Sequence, residues 1–126
     1  MRQYASSGSP YEDRYAFSRA VRAGDRIEVA GTAPVPPLDE PVAATAYEQM
    51  LRCGQIALAA LEELGGEAAD VVRTRMFITD AGYADEVGRA HRNLFGTARP
   101  AATMAVVELI DPEWKVELEV EAVVDR

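Results

Sequence analysis

Apolar and polar residues alternate more strictly in 114-WKVELEVEAVV-124 than anywhere else in the chain. Val116, Leu118, Val120, Ala122 and Val124 fall at every second position, with Glu117, Glu119 and Glu121 between them. A period of two places the two sets on opposite faces of a β-strand. The same reading predicts strands over 15–23, 26–31, 71–79 and 101–108. Gly24-Asp25 joins the first two as a hairpin. Residues 33–41 carry four prolines and read as a loop. Residues 1–14 are polar around Ser-Ser-Gly-Ser-Pro and read as a loop or a short edge strand.

Between 42 and 64 the period changes. Tyr47, Met50, Leu51, Gly54, Leu58, Leu61 and Leu64 recur at steps of three and four, the stripe of an amphipathic helix that Gly65-Gly66 ends. A second helix is expected near 83–95, with Asp80 as its N-cap and Ala84, Val87, His91, Leu94 and Phe95 as its apolar line. Runs of strands segregated from two helices predict an α+β layer, one sheet with both helices on one face. No repeat, low-complexity tract or linker divides the chain, so residues 1–126 read as a single domain.

Such a sheet has a second face. It receives Glu117, Glu119 and Glu121. In 71–79 it receives Arg73 and Arg75 with Val71 and Phe77, opposite Val72, Thr74, Met76 and Ile78. Met104 and Val106 are expected there too. Two readings stand. Antiparallel sheets often leave one side wet, and cross-strand ion pairs on such a surface contribute about 0–1 kcal/mol each. Alternatively the face is a subunit interface, where an unpartnered buried carboxylate would cost several kcal/mol.

Charge and composition narrow the chemistry. The 126 residues carry a formal net charge of −8, which opposes binding to nucleic acid or to an anionic membrane. The single cysteine, Cys53, excludes an internal disulfide framework and a cysteine-based zinc site. It reads as a small residue of the first helix. With one histidine, a transition-metal site is not expected. His91 lies on an apolar line and reads as packing before it reads as a general base. No apolar run approaches the ~20 residues that cross a bilayer, and the first residues lack the apolar core of a secretory signal. The expectation is a soluble cytoplasmic protein. There is no phosphate-binding glycine loop and no Ser-His-Asp set. Trp114, in the turn DPEW, lines a cleft or covers a sheet edge.

Three segments together carry a resemblance: FSRAVRAGDRIEVAG, VVRTRMFITD, and RPAATMAVVEL followed by VELEVEAVV. In this order and spacing the chain resembles the reactive intermediate deaminase (YjgF) family over nearly its whole length. The resemblance implies a single six-stranded mixed sheet with two helices on one face, as in the small trimeric chorismate mutase. It also implies a homotrimer with clefts between subunits, the glutamate row facing inward. Family members hydrolyse imines and enamines released by pyridoxal-phosphate enzymes, 2-aminoacrylate above all, and the resemblance implies no cofactor of their own. An arginine grips the substrate carboxylate, a glutamate positions or activates water, and a tyrosine and a glycine backbone complete the pocket.

Carried onto this chain, the resemblance matches Glu121 to the catalytic glutamate and Gly31 to the glycine. Phe17 stands in place of the tyrosine, Gly88 in place of an asparagine common in the family, and Ala102 in place of the arginine. Losing a bidentate charged contact removes about 1.5–3 kcal/mol, so typical 2-aminoacrylate deamination is not expected. Arg75, or else Arg73, is the expected substitute, and Trp114 a further wall. Two functions follow: hydrolysis of a less anionic imine, enamine or other labile metabolite, or a non-catalytic trimer that binds a small molecule or a protein. RNA cleavage, attributed to some relatives, is opposed by the acidic charge.

Overall fold

The computed structural model describes residues 1–126. Strands β1 (Arg2–Ala5), β2 (Ala20–Ala23), β3 (Arg26–Thr32), β4 (Val71–Ile78), β5 (Ala101–Val106) and β6 (Val116–Val123) form one sheet in the order β1-β2-β3-β6-β4-β5. Only the β4–β5 pair is parallel, so the sheet is mixed. Helices α2 (Ala46–Glu63) and α3 (Ala84–Phe95) cover one face, as the alternation predicts.

The core lies between that face and the helices. Val116, Leu118, Val120 and Ala122 of β6 are buried, together with Ile27 and Val29 of β3, Met76 and Ile78 of β4, Met50, Cys53 and Leu61 of α2, and Val87 and Phe95 of α3. Each large side chain taken fully from water stabilises the fold by about 1.5–3 kcal/mol. Thr45 caps α2 by accepting the Glu48 N–H at 3.1 Å.

Four features depart from the sequence expectations. A third, short helix, α1 (Pro10–Tyr15), occupies residues assigned to loop and strand. Ser9 accepts the Tyr11 N–H and Pro10 opens the first turn, while Ala16 at φ 61° ends it. The strand expected over 15–23 therefore shrinks to Ala20–Ala23. Second, the register of β4 against β6 shifts between Val71 and Arg73. That irregularity turns Val71 inward and Val72 outward, the reverse of strict alternation. Third, Met104 pairs with Met76 and packs against the core, so it and Val106, opposite Ile78, lie on the helix side of the sheet. Fourth, Asp80 caps a one-turn 3-10 segment, Ala81–Tyr83, that leads into α3.

Gly54 sits where α2 meets α3, and a Cβ built there overlaps the Leu94 side chain. Overpacking outweighs the gain in helix propensity, so Gly54→Ala lowers stability by about 1–2 kcal/mol. Denaturant unfolding measures it, and the loss is smaller in a Leu94→Ala background because the overlapping atoms are gone.

Candidate functional site

Strand pairing decides which residues meet. β3 and β6 are antiparallel, with Thr32 opposite Leu118 and Glu28 opposite Glu121. The end of β3 therefore lies against the start of β6, and Gly31 lies beside Glu117. Glu117 Oε2 is so close that a Cβ on Gly31 would stand 2.9 Å from it. Any larger residue at position 31 would push the Glu117 carboxylate off the backbone there.

Around this contact the chain builds a cleft of about 570 Å³. The connection from α1 to β2 brings Phe17 and Arg19. The proline loop after β3 brings Val35 and Leu38, α2 brings Arg52 and Ile56, and the turn before β6 brings Trp114. Tyr11, on α1, closes one side.

Glu117 makes no hydrogen bond or ion pair within the chain. Its half-burial pushes the carboxyl above its ordinary value; Arg19 draws it down in part, and Glu119 adds to the rise. Arg19 is held between two acids. Burial lowers the pKa of its guanidinium while Glu12 and Glu117 support the charge. Its Nη2 donates to the Gly31 carbonyl at 2.8 Å, its Cζ lies 5.7 Å from the Phe17 ring centroid, and its buried Nε has no partner. Behind it, buried Glu12 accepts from Ser6 Oγ at 2.7 Å, Ser7 Oγ at 2.5 Å and Ser7 N at 3.2 Å. Burial alone would raise the Glu12 carboxyl; the hydrogen bonds from Ser7 and Ser6 and the charge of Arg19 outweigh it and hold the group low.

Of the site residues expected from sequence, Phe17, Gly31 and Trp114 line this cleft. Glu121 does not. It lies four residues along the same row, roughly 13 Å from Glu117 at the rise of a strand. There it accepts from Arg75 Nη1 at 2.7 Å and Arg26 Nη2 at 3.0 Å. Arg75 also lies 3.8 Å from Glu119, so its charge is already shared between two carboxylates on the sheet face. Arg73 donates to Thr103 Oγ1 at 2.6 Å. Ala102 lies opposite Thr74 on the edge strand β5, two strands beyond β6. Neither Arg75 nor Ala102 reaches the cleft of its own chain. Gly88, in α3, has open space where a side chain would be.

Sequence reasoning did not single out Glu117 and Arg19, which line the cleft beside Phe17, Gly31 and Trp114. A signal existed for both. Once Gly31 at the end of one strand is placed in the site, antiparallel pairing selects the first glutamate of the last strand rather than the third. Arg19 stands two residues from Phe17.

The remaining chemistry lies elsewhere. Burial pushes the Cys53 thiol far up, which suits packing and not nucleophilic attack. His91 Nε2 lies 2.7 Å from Thr74 Oγ1, and its ring packs 5.1 Å from that of Phe95. Burial lowers its pKa. No three His, Cys, Asp or Glu side chains gather as metal ligands. No helix is long and apolar enough to cross a membrane.

Residues 10–124 match the family model described as Endoribonuclease L-PSP. An uncharacterized protein of Streptomyces coelicolor is 41% identical over 117 residues, which cover 92% of this chain and 87% of that protein. A RutC family protein of Sinorhizobium fredii is 30% identical over 104 residues, 82% of each chain. The crystal structure of Rv2704 from Mycobacterium tuberculosis, described as a member of the YjgF/YER057c/UK114 family, matches with a TM-score of 0.89 at 38% identity, covering 98% of this chain and 100% of that one. A matched segment that runs from α1 to the first residue after β6, on the same mixed sheet, assigns this chain to the YjgF/YER057c/UK114 family, the reactive intermediate deaminase family that its sequence resembles.

Proposed function

We propose that the cleft hydrolyses a small imine or enamine, with Glu117 as the group that handles water. One observation carries the reading: the Glu117 carboxylate has no partner, is half-buried against Gly31, and faces a cleft walled by aromatic rings. Desolvation raises the basicity of such a carboxylate. Glu117 takes a proton from water as the water oxygen bonds to the imine carbon. The C=N π pair moves to nitrogen, which receives that proton from Glu117. As the tetrahedral adduct breaks its C–N bond, Glu117 carries the hydroxyl proton to the nitrogen, ammonia leaves, a C=O bond forms, and the carboxylate is restored. One water is consumed and no electrons are exchanged.

Glu121 serves a different end in this proposal. The row of Glu119, Glu121, Arg75 and Arg26 lies on the sheet face turned from the helices, with Phe77 and the exposed Val72. We assign that face to a homotrimer interface, with each cleft bordered by a neighbouring copy. Against RNA cleavage stand the net charge of −8 and the lack of a basic tract along which a phosphate backbone could lie. A buried free thiol at Cys53 suits a reducing, cytoplasmic setting.

Three outcomes test this. Ammonia release from chemically generated imines exceeds the spontaneous rate, and Glu117→Gln removes about 10²–10⁴ of the rate enhancement while Glu121→Gln in an assembled trimer keeps it; no turnover by wild type favours a non-catalytic binding module.

The second concerns pH. Because the folded state raises the Glu117 pKa above its ordinary 4.5, wild type loses stability as pH rises from below that value through the raised one. Glu117→Gln escapes the loss. Its melting temperature at pH 7 lies above that of wild type, and the difference closes under acid conditions; a variant less stable at pH 7 refutes the placement of an unpaired carboxylate.

Third, sedimentation at micromolar concentration gives three copies, and a lone monomer there rules out the interface.

A further inference from the structure

A second cavity, of about 500 Å³, lies at the C-terminal end of α3. Its wall runs from His91 through the last turn of the helix to Pro100, and Ala68, in the turn before β4, closes the far side. No residue lines both this pocket and the cleft. Strand register sets the two apart. β5 begins at Ala101, opposite Arg73 of β4, whereas Glu117 lies opposite Phe77 of the same strand. Four residues of strand, roughly 13 Å, separate the two levels.

The ionisable lining is His91, Arg92 and Arg99, with no carboxylate. His91 is committed to Thr74 through Nε2, and burial lowers its pKa below the ordinary 6.5, so the ring is neutral at pH 7. The two arginines leave +2 in a chain whose net charge is −8. One use for cations at this place is to complement the negative end of the α3 dipole. That end amounts to about half an elementary charge, so most of the positive charge is left over. Neither guanidinium is spent on a side chain. Arg89, on the same helix, pairs with Asp85 at 3.0 Å, and Arg126 holds Asp70 at 2.7 Å, but Arg92 and Arg99 make no ion pair and no side-chain hydrogen bond within the chain. A locally positive pocket in an acidic chain favours an anion.

The backbone adds an independent sign. Arg99 has φ 51°, in the left-handed region that glycine takes without strain. Its N–H donates to the Phe95 carbonyl at 3.0 Å and closes the turns that follow the helix. An arginine is thus kept where ending the helix would favour glycine. Between the two cations, Leu94, Phe95, Ala98 and Pro100 supply apolar surface. Two planar forks suit the oxygens of a phosphate, and the volume leaves room for an organic body beside it.

We propose that the pocket at the C-terminal end of α3 is a second ligand site, in which Arg92 and Arg99 grip the phosphate monoester of a small metabolite. The site is independent of the cleft and of the hydrolase reading.

Calorimetry on the purified protein, at about pH 7.5 and so above the second phosphate pKa of about 6, compares phenyl phosphate, phenyl sulfate and inorganic phosphate. Phenyl phosphate binds about tenfold tighter than phenyl sulfate, which has the same shape and one charge, and tighter than inorganic phosphate. Arg92→Gln and Arg99→Gln each weaken it about ten- to a hundredfold. Arg89→Gln removes the same charge from the same helix and changes the affinity by less than about twofold. Arg99→Gly separates site from structure: it relieves the left-handed strain, so the melting temperature does not fall, yet the ester is lost as in Arg99→Gln. Amide shifts on titration centre on residues 91–100. Equal affinity for phosphate and sulfate esters, an equal loss in Arg89→Gln, or full binding by Arg99→Gly overturns the proposal. Inorganic phosphate binding as tightly as the ester refutes the ligand class, and shifts centred on Gly31 and Trp114 refute the place.

Discussion

The antiparallel pairing of β3 with β6 governs the rest of the molecule. β6 lies inside the sheet, antiparallel to both neighbours. Its inward residues, Val116, Leu118, Val120 and Ala122, are buried under the helices, so a slip of one position would expose all four. A slip of two would keep them buried, but it would carry Glu121 away from Arg75 and Arg26 and put Glu119 over Gly31. Burial fixes the parity of the register; the ion pairs and the β3 contact fix its value. That register decides which of three chemically identical residues lies in the cleft.

The three glutamates show how environment divides one row of side chains. Glu121 accepts from two arginines and Glu119 shares one of them. Glu117 has neither, because β3 bends away after Val29 and presents Gly31 in place of a cross-strand arginine. Burial raises its pKa, and Arg19 offsets that rise only in part. A sequence optimised for stability alone would not leave a carboxylate in that state. The local rule that buried charge is paired is broken at one residue of the row, the one residue that lines the cleft.

Much of the architecture is legible in the sequence because it rests on long periodic segments. The five-position alternation of β6, the stripe of α2 and the Gly24-Asp25 hairpin are each set by local pattern. What escapes is set by neighbours. α1 spans only six residues, too few to show a period, though Ser9-Pro10 carries the signature of a helix start. The flip of Val71 and Val72 depends on a shift in pairing that no single strand reveals. Met104 goes inward because β5 runs parallel to β4 and shares its register. At the site, Phe17, Gly31 and Trp114 are visible as residue types in recognisable segments. Glu121 follows from matching the local string VEAVV; the antiparallel partner places it with Arg26 and Arg75, outside this cleft of its own chain. Arg19 is hidden for another reason: an arginine in a hairpin reads as exposed until α1 and the proline loop close over it.

That closure separates two functions in space. The residues at the base of the cleft, Gly31 and Glu117, belong to adjacent strands of the sheet, Gly31 at the irregularity between Val29 and Thr32. The residues that shape the rest of the cleft stand on short or irregular segments: Tyr11 on α1, Phe17 and Arg19 before β2, Val35 and Leu38 in the proline loop, Trp114 in a turn. Those segments are held by side-chain contacts rather than by ladders, with Ser6 and Ser7 on Glu12 at one side and Arg52 on the Val35 carbonyl at the other. A substitution there changes what fits without touching the register.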